Sequence, residues 1–175
     1  EGEIIVDDKI VQDEDLNCVT LKGVPGASAA DYASGRHLIT NVTIGSVTDT
    51  IEYPDSCEYV FIHFGIPFVS ENNAQEVINL IEELKYKYPK TPIFVAKEWH
   101  ATSALANYSS INNSVDSYNT ILEDYCNKTQ YAIFLDIGDL PGTVDGYTCK
   151  DRETTQVYFN NVKTAIKNKV LGYVQ

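Results

Sequence analysis

Three stretches constrain this chain more than anything else in it: "YVFIHF" (59–64), "PIFVA" (92–96) and "YAIFLDI" (131–137), each almost continuously apolar. A strand with one wet face alternates apolar and polar side chains, so uninterrupted runs of strand length call for cover on both faces. Two shorter runs, "EIIV" (3–6) and "CVTLK" (18–22), precede them. Between and after these runs the apolar period changes from strand-like to helical. "NNAQEVINLIEELKYKYP" sets Val77, Ile81, Leu84 and Tyr88 on one helical face, with Asn72 or Asn73 as cap and Pro89 past the end. "NSVDSYNTILEDYC" does the same with Val115, Tyr118, Leu122 and Tyr125 after an Asn113-Ser114 cap, and the C-terminal segment with Tyr158, Val162, Ile166 and Val170. All three stripes read as core-facing. From Ala29 to Pro54 the pattern predicts a short helix followed by extended structure rich in Thr, Val and Ile. Strands alternating with helices predict an α/β fold of three layers, α/β/α, around a mainly parallel five-stranded sheet. With no internal repeat and no long linker, residues 1–175 are expected to form a single domain.

Charge narrows the partners. The formal net charge of -12 repels nucleic acid and anionic membrane surfaces, leaving a neutral or cationic partner. No apolar run approaches the roughly 20 residues that cross a bilayer, so no membrane insertion is expected. The chain begins at Glu1 and holds no Met, the pattern expected of a mature protein or an excised module. Cys18, Cys57, Cys126 and Cys149 are widely spaced and form no C-x-x-C pair, which removes the usual zinc-finger and thioredoxin readings. Free thiols and disulfides both remain open. Four Asn-x-Ser/Thr sequons, at Asn41, Asn107, Asn112 and Asn127, permit glycosylation, although a chain this rich in Asn, Ser and Thr produces them by chance.

The order of segments, with "YVFIHFG" opening onto a loop, "LIEELKYKYPKTPIFVA" as helix, Pro and strand, and "VDSYNTILEDYC...YAIFLDIGD...DGYT" running toward the end, resembles the SGNH (GDSL-type) hydrolases. The resemblance covers most of the chain and is strongest from Tyr59 onward. It implies a flavodoxin-like fold and a lineage of esterases, lipases and carbohydrate esterases. In that family a Ser of a Gly-Asp-Ser turn attacks the ester and a His activates it. An Asp three residues before the His orients it, and Ser and Gly N–H groups with an Asn side chain hold the oxyanion.

Carried over residue by residue, the Gly-Asp-Ser turn falls on Asp7-Asp8-Lys9, so Lys9 stands at the nucleophile position. Gly23 or Gly26 supplies the glycine N–H. The third block reads "GIPF", placing Pro67, which has no donor, where the Asn is expected. Asp145 is retained and Thr148 replaces the His; a Thr hydroxyl cannot act as a base near neutral pH. The resemblance therefore implies a hydrolase fold without the hydrolase site: a non-catalytic, binding or architectural module of a secreted or cell-surface protein. Polysaccharide or another protein module would be its partner, with no cofactor. The competing reading is an active carbohydrate esterase or acetyl esterase with a relocated site, Ser28 in "GVPGASAADY" paired with a His. A third is a structural spacer.

Three histidines could serve such a site. His37 is expected on a helix, His63 inside an apolar strand as a satisfied core residue, and His100 at a strand's carboxyl end, where open α/β sheets form their ligand crevice. Ser28 reads equally as a helix cap. Trp99 could stack on a sugar ring, with His100, Glu98, Asn107 and Tyr108 giving polar contacts, or could pack beneath the following loop. Asp136 and Asp139 end a strand as crevice residues or solvate its exit. Asp13, Asp15 and Asn17 imitate an EF-hand, but Cys18 and Val24 occupy the positions of its Gly and Glu, so no metal site is expected.

Overall fold

The structure, a computed structural model, describes residues 2–5, 19–21, 28–33, 39–44, 46–66, 69–139, 146 and 152–172. It is an α/β fold with a parallel sheet. Strands β1 (Gly2–Ile5), β2 (Val19–Leu21), β5 (Val60–Ile62), β6 (Ile93–Ala96) and β7 (Ala132–Leu135) pair in the order β2-β1-β5-β6-β7, every neighbouring pair parallel. Strands β3 (Ile39–Ile44) and β4 (Val47–Glu52), dense in β-branched residues, form a separate antiparallel hairpin whose register closes with Ile44 opposite Val47. The helices are α1 (Ala29–Tyr32), α2 (Glu71–Lys87), α3 (Tyr108–Thr129) and α4 (Arg152–Gly172).

The pleat of the central strands sorts their side chains into two apolar clusters. Val60, Ile62, Ile93, Val95 and Ala132 pack with Ala29 and Tyr32 of α1, Val77, Leu80, Ile81 and Leu84 of α2, and Val115, Tyr118 and Leu122 of α3. On the alternate positions Phe61, Phe94, Ala96 and Leu135 meet Tyr158, Phe159 and Val162 of α4. Both faces of β5 and β6 are therefore dry, which is why their sequences show no alternation, while β7 is half-buried at Ile133 and Phe134. None of the described helices is long and apolar enough to cross a membrane. Cys126 is a buried free thiol, whereas Cys18 and Cys149 lie outside the described residues.

Several boundaries differ from the sequence reading, each for a local reason. Helix α2 is capped by Ser70, whose hydroxyl accepts the Asn73 N–H at 3.2 Å, and not by Asn72 or Asn73. Helix α3 begins at Tyr108, more than a turn before the Asn113-Ser114 pair. Its first turns, "YSSINNS", carry little apolar signal because most of those side chains face water. Asn107 makes the turn into the helix with φ of 63°, a left-handed conformation that Asn tolerates better than most residues. Strand β5 ends at Ile62, so His63 stands at the strand's exit instead of inside it.

A candidate functional site at the carboxyl ends of the strands

The exits of β5 and β6 meet around a carboxylate sealed from water. Two residues past β6, Glu98 is 0% exposed. Its backbone is held in both directions by the buried Asn119 of α3: the Glu98 N–H donates to the Asn119 side-chain oxygen, and the Asn119 amide donates to the Glu98 carbonyl, each at 2.8 Å. That clamp turns the Glu98 side chain inward. Its Oε2 lies 2.8 Å from Nε2 of His63, and its Oε1 accepts the Ile66 N–H at 3.4 Å. Gly65 leaves the room; a Cβ there would sit 3.0 Å from one carboxylate oxygen and 3.2 Å from the other. The other ring nitrogen of His63, Nδ1, is 2.8 Å from the Tyr158 hydroxyl of α4. Trp99 presses edge-on against both rings, with centroids 4.8 Å from His63 and 5.7 Å from Tyr158. Burial pushes the Glu98 carboxyl above the usual carboxylate range, while the hydrogen bond and charge of His63 and the Ile66 amide pull it back.

Around this sealed chain the surface is polar. His100 places Nε2 2.8 Å from Oδ1 of Asp116 and Nδ1 3.9 Å from Oδ2 of Asp139, and its backbone N–H donates to Asp139 at 3.2 Å. The two ring nitrogens address different carboxylates, so this trio does not converge on one ion. Among the described residues no group of three or more His, Cys, Asp or Glu side chains could hold a metal. The Asn112 side chain bonds both the N–H and the carbonyl of Ala101, and the Thr102 N–H donates to the Gly146 carbonyl at 2.8 Å. The segment from Lys97 to Asn107 is thereby stapled to the start of α3 and to Gly146.

Alongside β7, at the end of the strand order, runs a groove of about 710 Å³ between α3 and α4. Lys97, Asp136, Thr120, Asn168 and Lys169 line its walls, and Phe134 and Leu135 form apolar floor. Lys97 and Asp136 approach to 3.5 Å at its rim. Donors, acceptors and a small apolar base within one groove suit a polar ligand of moderate size.

No family model and no curated protein matches the sequence. A search of solved structures finds one described as "a putative platelet activating factor from Streptococcus pneumonia". It has a TM-score of 0.65 and 13% identity over 93% of this chain and 80% of that one. At that identity the likeness establishes a shared fold.

The residues singled out in the sequence separate in the structure. Lys9, Gly23, Gly26, Pro67, Asp145 and Thr148 lie outside the described residues, as does His37. Ser28 caps α1; its N–H and hydroxyl both donate to Asp31 Oδ2, at 2.7 and 2.9 Å. The hydrogen bonds of Ser28 and His100 thus go to different carboxylates, not to each other. Trp99 is 8% exposed and belongs to the cluster under α4, in keeping with the packed one of its two readings. Tyr108 remains 43% exposed and Asn107 is exposed, both at the start of α3. The structure joins residues that the sequence reading kept apart: Glu98 and His63, which it treated separately, and Tyr158 and Asn119, which it did not connect to any site. A lone acid directly after an apolar strand reads as an exposed exit charge. The available signal was the His-x-Gly at 63–65, a polar side chain followed by a residue without one.

Proposed function

We propose that this chain is a non-catalytic module with the three-layer, flavodoxin-like fold of the SGNH hydrolases, belonging to a secreted or cell-surface protein and binding carbohydrate. The observation that carries the reading is the groove beside β7, where ammonium, carboxylate, amide and hydroxyl groups surround a small apolar floor. A saccharide presents hydroxyls that both donate and accept, together with apolar C–H faces, so it can use every kind of group in that lining. The strand order and the cover on both sheet faces support the family reading. The absence of chemistry rests on Lys9, Pro67 and Thr148 at the family's Ser, Asn and His positions. It rests also on Ser28 and His100, whose hydrogen bonds are committed to Asp31 and Asp116.

Two measurements test it. Purified protein incubated with acetylated xylan and with a small acetyl ester is expected to release acetate no faster than a heat-denatured blank. Turnover above the blank that is lost on Ser28→Ala would establish the relocated esterase instead. Calorimetric titration with xylo-oligosaccharides is expected to give saturable binding, weakened about tenfold or more by Lys97→Ala, the loss of one charge-assisted hydrogen bond. No heat of binding from any oligosaccharide tried would remove carbohydrate as the ligand.

A further inference from the structure

Neither the groove nor the strand-end surface uses the buried Glu98–His63–Tyr158 chain. A carboxylate withdrawn fully from water is a burden on the fold, and an apolar group of similar volume would join the same elements without it. What a titratable pair adds is dependence on protons. We propose that Glu98 and His63 form a pH-sensitive strut that fastens α4, through Tyr158, to the exits of β5 and β6 and to the loop that begins at Lys97.

The geometry assigns each part a place. Glu98 is fixed to α3 by the two Asn119 bonds, His63 is fixed at the end of β5, and the Tyr158 hydroxyl at 2.8 Å is the polar tie reaching this pair from α4. Carrying one dissociable proton, the pair is electrically neutral, whether the proton sits on the carboxylate or makes the ring cationic. Removing that proton leaves a net negative charge in a space closed by Trp99, Tyr158 and Tyr118. Among the described residues the titratable groups facing the pair are phenols, Tyr158 from α4 and Tyr118 from α3. The Tyr118 hydroxyl donates to the Phe64 carbonyl at 3.3 Å. Burial opposes ionisation of Tyr118 most, and the charges of Glu98 and of Glu76 on α2 add to it. Neither phenol supplies a compensating positive charge.

The sign follows from the carboxyl. Its proton is held more tightly in the folded protein than in the unfolded chain, so its stabilising contribution is complete at acid pH and is lost as pH rises through the folded value. The strut is therefore tight in mild acid and loosens toward alkaline pH.

The test uses the whole chain, with Trp99, its one tryptophan, as reporter. Thermal midpoints and acrylamide quenching of Trp99 are followed from pH 5 to pH 9 for wild type, Glu98→Gln and the surface control Glu153→Gln. The midpoint of Glu98→Gln is expected to gain on wild type as pH rises, by about 3 °C for each unit by which folding raises the proton affinity of the carboxyl. Trp99 is expected to become more quenchable with pH in wild type and in Glu153→Gln, but not in Glu98→Gln. Parallel pH curves for wild type and Glu98→Gln would overturn the strut. If Glu98→Gln does not fold, His63→Gln takes its place: leaving Glu98 without its imidazole should steepen the loss of stability with rising pH, and an unchanged slope would overturn the proposal equally.

Discussion

At Gly138 and Gly146 the backbone turns through φ of 74° and 89°, a region L side chains seldom enter, but the two positions differ in what surrounds them. A Cβ on Gly138 would find its nearest neighbour, the Asn161 amide nitrogen, at 4.0 Å, whereas one on Gly146 would fall 2.6 Å from the backbone nitrogen of Leu105. Gly138→Ala should therefore cost about 1 kcal/mol from the dihedral alone, and Gly146→Ala about 3 kcal/mol or more, because backbone must also move. Urea denaturation of both variants checks the order, and equal losses would mean that the Leu105 contact relaxes freely. Asn119 belongs to the same scale. Asn119→Ala strands the N–H and carbonyl of Glu98 in a dry interior, for an expected loss of about 2–5 kcal/mol, well beyond an exposed Asn such as Asn79.

Among the elements, α2 was the most legible in the sequence, since Val77, Ile81 and Leu84 repeat at helical spacing and all three are buried. Strands β5 and β6 were legible for a related reason: being dry on both faces, they leave no polar residue to confuse their period. Helix α3 was legible in its second half only, because the turns before Val115 are anchored by the polar Asn112 and not by an apolar stripe. The site was less legible still. His63 and Glu98 are 35 residues apart, and Asn119 is a further 21 from Glu98, so no local pattern links them. On α2 the cap was misplaced by two or three residues, and this can be tested directly. Ser70→Ala should destabilise the protein by about 1 kcal/mol in urea denaturation, while Asn72→Ala should change it little.

At the scale of the whole molecule, the described residues cover the two sheet faces unequally. Three helices share one face, while the described cover over Phe61, Phe94 and Leu135 on the other comes from α4. A chain shortened by residues 152–172 is expected to lose its cooperative thermal transition, bind a hydrophobic dye and shift its Trp99 emission to the red. A shortened chain that still melts cooperatively would show that α1, α2 and α3 suffice to hold the sheet.

That same asymmetry bears on how the chain is made. A ribosome delivers β5, β6 and β7 well before α4, so a nascent chain holds Phe61, Phe94 and Leu135 without the cover of α4 until that helix leaves the exit tunnel. Slow translation just before α4 would lengthen that exposure and invite chaperone capture.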